Sequence, residues 1–152
     1  MRSWGKQSQK VLSELDSRLV KYLDRALQEV ADISLICGHR NQEDQMKAYF
    51  SGNSKLMWPK GRHNSLPSKA VDFQPYPMPK DKAKLWAALA YVAGRIIQMA
   101  AEDGVRIRWG GDWDSDGDLT DQNFDDLFHL EVVDTIDDTD ARNSKSAAGG
   151  ID

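Results

Sequence analysis

A chain of 152 residues, 40% of them hydrophobic and five of them tryptophan, is long enough to bury one core without disulfide staples and reads as a single domain. The net charge of −4 argues against a nucleic-acid-binding face, the lone Cys37 excludes an intramolecular disulfide, and no segment approaches the ~20 apolar residues that span a bilayer. Residues 1–7 lead into no apolar stretch of signal-peptide length, which predicts a product made in the cytoplasm without a signal peptide, acting outside it only after release.

Leu12, Leu15, Leu19, Leu23, Leu27 and Val30 recur at helical spacing and predict an amphipathic helix over about 10–30. A short β-prone run over 33–37 is stopped by Gly38. Asn41 is a good N-cap and Gly52 a plausible stop, so a short helix over about 41–51 follows. Residues 52–69, rich in Gly, Asn, Ser, Pro and Lys, read as a loop, and a loop of that length inside a domain is more often functional than idle. A strand candidate over 70–74 is closed by Pro75, Pro77 and Pro79. Asp81 caps a third helix running to about 103, with Leu85, Ala88, Leu89, Val92, Ile96 and Ile97 as its inner face and Gly104 as its end. Two more strand candidates, 105–109 and 127–133, flank an Asp- and Gly-rich loop over 110–126. The chain then turns acidic, and later small and polar. The expected division is one domain over 1–134 and a flexible tail over 135–152. Helices and short strands without regular βαβ alternation predict the α+β class.

The chemistry concentrates in two segments. One runs Gly61-Arg62-His63-Asn64-Ser65-Leu66-Pro67-Ser68-Lys69-Ala70-Val71-Asp72; the other is Asp126-Leu127-Phe128-His129. Two imidazoles and one carboxylate are a usual protein contribution to a catalytic zinc site, with the fourth position open. A lone histidine in a loop is more often exposed or structurally satisfied, and composition alone does not bring His63 and His129 together. Asp112, Asp114, Asp116 and Asp118 follow the D-x-D-x-D-G start of a calcium loop, but Asn123 stands where such a loop has its bidentate Glu, and strand candidates flank it. A non-standard Ca2+ site and a solvated acidic loop stand side by side. Trp58, Trp109 and Trp113 are candidates to line a substrate groove, whereas Trp86 on the third helix reads as packing.

The run from His63 to Ala70-Val71-Asp72 resembles the first zinc motif of peptidase family M15, which unites zinc D,D-carboxypeptidases and dipeptidases with phage L-alanyl-D-glutamate endopeptidases. The gap is longer here than in the family's commonest form. Asp126 and His129, followed by Leu130-Glu131, resemble the second motif, and Gly38-His39-Arg40 with Gln45 and Trp109-Gly110-Gly111-Asp112-Trp113 resemble the phage branch. The resemblance implies a small antiparallel sheet with helices packed on it, as in hedgehog and D-Ala-D-Ala peptidase folds. It implies that His63, Asp72 and His129 bind Zn2+, that Asp126 is the general base for the attacking water, and that Arg40 stabilises an oxyanion or holds a substrate carboxylate. Mn2+ or Co2+ suit the same ligands. His39 is expected outside the ligand set, and Arg62 as a solvated loop charge. The implied function is cleavage of the L-Ala–D-Glu bond of bacterial peptidoglycan by a monomeric endolysin, released through a holin-type pore. A D-Ala-D-Ala carboxypeptidase or dipeptidase of the same fold, and a non-hydrolytic calcium-responsive binding module, remain as alternatives.

Overall fold

A computed structural model describes residues 1–134. The expected tail over 135–152 lies outside the described residues. Four helices and four strands follow in the order α1 (Lys6–Leu12), α2 (Ser17–Glu29), β1 (Ile33–Cys37), α3 (Gln42–Phe50), β2 (Ala70–Pro75), α4 (Lys82–Glu102), β3 (Ile107–Gly110) and β4 (Asp126–Val132). The strands form one sheet in the order β1-β2-β4-β3, every neighbouring pair antiparallel. The α+β class is therefore the observed one.

The helix expected over 10–30 is two helices. Asp16 leaves helical geometry and caps α2, its carboxylate accepting from the Arg18 N–H at 2.9 Å. Leu15 forms a β-bridge with Ser68, and the Asp16 N–H donates to the Ser68 carbonyl at 2.8 Å. Apolar spacing passes through the break because Val11 and Leu15 still face the same core as Leu19 and Leu23. Asn41 caps α3 through the Asp44 N–H and Asp81 caps α4 through Ala83 and Lys84, as their sequence positions predict. Gly52 and Gly104 hold left-handed φ values of 84° and 76°, a conformation that favours glycine. The turn at Gly104 sends the Val105 N–H back to the Ala100 carbonyl, so β3 begins two residues later than expected.

Side chains alternate across a strand, which gives the sheet two chemically different faces. Val71, Phe73, Ile107, Leu130 and Val132 enter a core shared with Leu23 and Leu27 of α2 and Leu89, Val92 and Ile96 of α4. The α4 face is rotated from the expected one: Ala93, Met99 and Ala100 are buried, whereas Leu85, Ala88 and Ile97 are only partly so. On the other face of the sheet stand Asp72, His129, Glu131 and Arg108. Register sets their neighbours, with Asp72 opposite His129 and Arg108 opposite Glu131. Gly110 pairs with Asp126, and a Cβ at Gly110 would collide with the Asp126 carbonyl, so only glycine lets β3 approach the first residue of β4 this closely.

Candidate metal centre

His63, Asp72 and His129 converge, and they could hold a metal ion. His63 Nε2 lies 3.2 Å from His129 Nδ1 and 3.4 Å from Asp72 Oδ1, which is itself 3.6 Å from His129 Nδ1. Ligands at normal Zn–N and Zn–O distances around a tetrahedral ion stand about 3.4 Å apart, so the triangle has the right size.

The hydrogen bonds select the lone pairs. His63 Nδ1 is 2.7 Å from the Gly38 carbonyl, which only accepts, so Nδ1 carries the proton and Nε2 faces the triangle. His129 Nε2 is 2.7 Å from the Glu131 carboxylate, so it donates there and Nδ1 faces the triangle. A carbonyl or carboxylate behind a ligating imidazole fixes ring and tautomer in this way. Asp72 Oδ1 is buried with no hydrogen-bond partner. Two imidazole lone pairs and an orphaned carboxylate oxygen cannot stay in contact without a cation or a proton between them. The donor set therefore fits a divalent ion of the zinc type.

Without a metal, protons serve. Burial opposes charge on His63, yet the Asp72 carboxylate beside it outweighs burial and raises the imidazole to about 10. Burial would likewise raise Asp72, but the charge of His63 and then the neighbouring His129 imidazole hold it well below the usual carboxylate range. Metal loading must displace such protons, and metal affinity must fall as the pH is lowered. Calorimetric titration of the metal-free protein at pH 7, in buffers of different protonation enthalpy, should show net proton release. Release of none would mean that the imidazoles are neutral before the metal arrives.

Asp126 sits at the start of β4 with Oδ2 3.9 Å from His129 Nδ1, beside the triangle but not in it. Burial pushes its carboxyl up, the nearby His129 charge opposes this, and the Asp72 charge adds to it. Arg40 lies beside Asp72. Its Nη1 donates to Gln45 Oε1 at 3.0 Å, and its Nη2 is 3.8 Å from Asp72 Oδ2. Arg40, Gln45, Arg62, His63, Asp126 and His129 border a small cavity. A second, wider hollow, open to solvent, adjoins it and is lined by Arg40, Asp72, Gln74, Phe124 and Asp126.

Several expectations need correction. Trp109 and Trp113 are largely buried, 5% and 1% exposed, so each borders a hollow only by an edge, Trp113 beside His63 and His129 and Trp109 beside α4. Their indole N–H groups donate to the Leu127 and Phe124 carbonyls, tying down the chain that leads into β4. Trp58 is exposed in the loop before His63, and Trp86 is half exposed rather than packed. Arg62 is not a solvated charge: its Nε is 3.4 Å from Glu131 Oε2. The His39 ring bonds the Ser65 carbonyl, 3.1 Å away. Among the loop aspartates, Asp112, Asp114 and Asp116 offer oxygens within 4.8 Å of one another, and Asp118 stands outside that group. Backbone N–H groups of Asp116, Gly117, Asp118 and Thr120 donate to these carboxylates, which offsets much of their repulsion.

Sequence reading assigned no role to Glu131. It is fully buried, accepts from His129 and pairs with Arg108 at 2.8 Å. The available signal was its position two residues beyond His129 in a strand, which puts both on one face.

The chain is similar to known proteins. A family model described as phage L-alanyl-D-glutamate peptidase matches residues 2–133. The L-alanyl-D-glutamate peptidase of Escherichia phage T5 is 31% identical over 139 residues, covering 86% of this chain and 97% of that protein. The crystal structure of the L-Ala D-Glu endopeptidase ChiX of Serratia marcescens superposes with a TM-score of 0.63 at 24% identity, covering 84% of this chain and 87% of that one, a likeness of fold.

Proposed function

We infer, from the premise that this chain belongs to the phage L-alanyl-D-glutamate peptidase family, that it is a zinc peptidase cutting the L-Ala–D-Glu bond of peptidoglycan stem peptides. The observation that carries the metal part is the triangle of His63 Nε2, Asp72 Oδ1 and His129 Nδ1, with its orphaned carboxylate oxygen. When bound, zinc supplies an acidic water and polarisation of the scissile carbonyl.

The remaining work falls to side chains. Asp126 Oδ2 takes a proton from the attacking water and returns it to the leaving amine of D-Glu. A carboxyl raised by burial suits that exchange better than an ordinary surface aspartate. Arg40, steadied by Gln45, offers a planar pair of donors to the free carboxylate of D-Glu or to the developing oxyanion. Glu131 keeps His129 aimed at the metal, with Arg108 and Arg62 opposing its charge.

Residues 1–134 form the catalytic unit, working as a monomer. No helix among the described residues is long and apolar enough to cross a membrane, and access to the wall follows release through a holin-type pore. Ca2+ on Asp112, Asp114 and Asp116 is a separate expectation. Millimolar Ca2+ should raise the Tm of the zinc-loaded protein, and an unchanged Tm removes calcium from the loop. Mass spectrometry of digested muropeptides tests the bond. A new amino terminus on D-Glu, with L-Ala left on the lactyl group, is the expected product. Loss of terminal D-Ala would instead identify a D,D-carboxypeptidase.

A further inference from the structure

We propose that the apolar groove between α4 and the chain over 119–128 is a glycan subsite, holding the N-acetylated amino sugar that carries the stem peptide, with the Trp86 indole as its stacking platform. The proposal rests on the peptidase reading above and adds the direction in which substrate lies.

The groove is open to solvent and is lined by Trp86, Ala90, Trp109, Leu119, Leu127 and Phe128, together with Asp125 and Asp126. Asp126, the residue beside the metal triangle, also borders this groove, so the groove adjoins the site. Trp86 and Leu119 are each 47% exposed. Large apolar side chains left open beside a catalytic cleft mark a binding surface more often than chance exposure. α4 has no folding reason to place tryptophan there, since its core contacts come from Leu89, Val92 and Ile96. Lys82, one turn earlier, sets its ammonium 4.8 Å from the indole centroid, over one face of the ring.

Polarity decides the occupant. The stem peptide has a sugar on the amino side of the scissile bond and free carboxylates on the other. The hollow beyond Asp72 contains the guanidinium of Arg40 and the polar Gln74, which suit the carboxylate side. Apart from Asp125 and Asp126, the Trp86 groove is lined by aromatic and aliphatic side chains, which suits the C–H face of a pyranose. Both hollows border Asp125, Asp126 and Phe128, so one extended substrate can reach from one to the other past Asp126.

The test uses the zinc-loaded full chain and two substrates that share one stem peptide, one with and one without N-acetylmuramic acid on L-Ala. The parent protein should show a lower KM for the sugar-bearing form. Trp86→Ala should raise that KM by about tenfold with kcat unchanged, and leave the sugar-free peptide unaffected; Trp86→Phe should recover most of the loss. Equal KM values for the parent on both substrates, an unchanged KM in Trp86→Ala, or an equal loss on both substrates would each overturn the subsite. If the parent cuts neither substrate at L-Ala–D-Glu, the peptidase reading itself fails and takes the subsite with it.

Discussion

The Asp126→Asn protein should bind zinc as tightly as the parent and turn substrate over about 10²- to 10⁴-fold more slowly, the usual range for losing a general base. Asp126 lies outside the ligand triangle, with Oδ2 3.9 Å from His129 Nδ1, so an amide there removes the proton acceptor without removing a metal ligand. The loss should fall on kcat, because the acceptor is needed when the water attacks and again when the amine leaves. Stopped assays with elemental analysis on the same sample separate the outcomes. Near-parental turnover would take the base role from Asp126. Loss of zinc together with activity would make it a ligand.

Glu131→Ala should be costly in two separate ways. The Nε2–H of His129 loses its acceptor, so the ring no longer has a fixed tautomer, and metal affinity should drop by about 10- to 100-fold. Arg108 keeps its charge, 3% exposed, after its 2.8 Å partner is gone. Breaking a buried pair from one side costs about 3–5 kcal/mol, a large part of a small domain's stability. Denaturant unfolding of the metal-free protein reads the second effect alone, and competition with a chelator reads the first. Glu131→Gln, which keeps an acceptor but not the charge, should recover part of the metal affinity. Parental stability in Glu131→Ala would mean that Arg108 is held well enough by its other contacts.

What could be read from the chain divides along physical lines. Asn41, Asp81 and Gly104 act through bonds to residues a few positions away, so helix ends were legible. The ligands were legible through a resemblance to known motifs, not through spacing, since His63 stands on a loop and His129 on a strand 66 positions later. The break at Asp16 was hidden because it depends on Ser68, and the apolar rhythm continues across it. The pairing of Glu131 with Arg108 was hidden for a similar reason: only the β3–β4 register sets them opposite. The tryptophans were only partly legible. Trp109 and Trp113 hold backbone carbonyls and show only an edge to the hollows they border, whereas Trp58 and the helical Trp86 are exposed. Periodicity places a residue on a face, but burial depends on what the rest of the fold brings to that face. Membership in a peptidase family sets aside the non-hydrolytic binding module as a reading of the whole chain.

The most direct test joins metal content to bond cleavage. Protein stripped by a chelator should generate no new D-Glu amino termini on purified peptidoglycan, and about one equivalent of zinc should restore them. The His63→Ala protein, lacking one corner of the triangle, should neither retain zinc through gel filtration nor recover activity on its return. Full cleavage by the metal-free protein, or by His63→Ala without bound metal, would contradict a catalytic metal held by His63, Asp72 and His129.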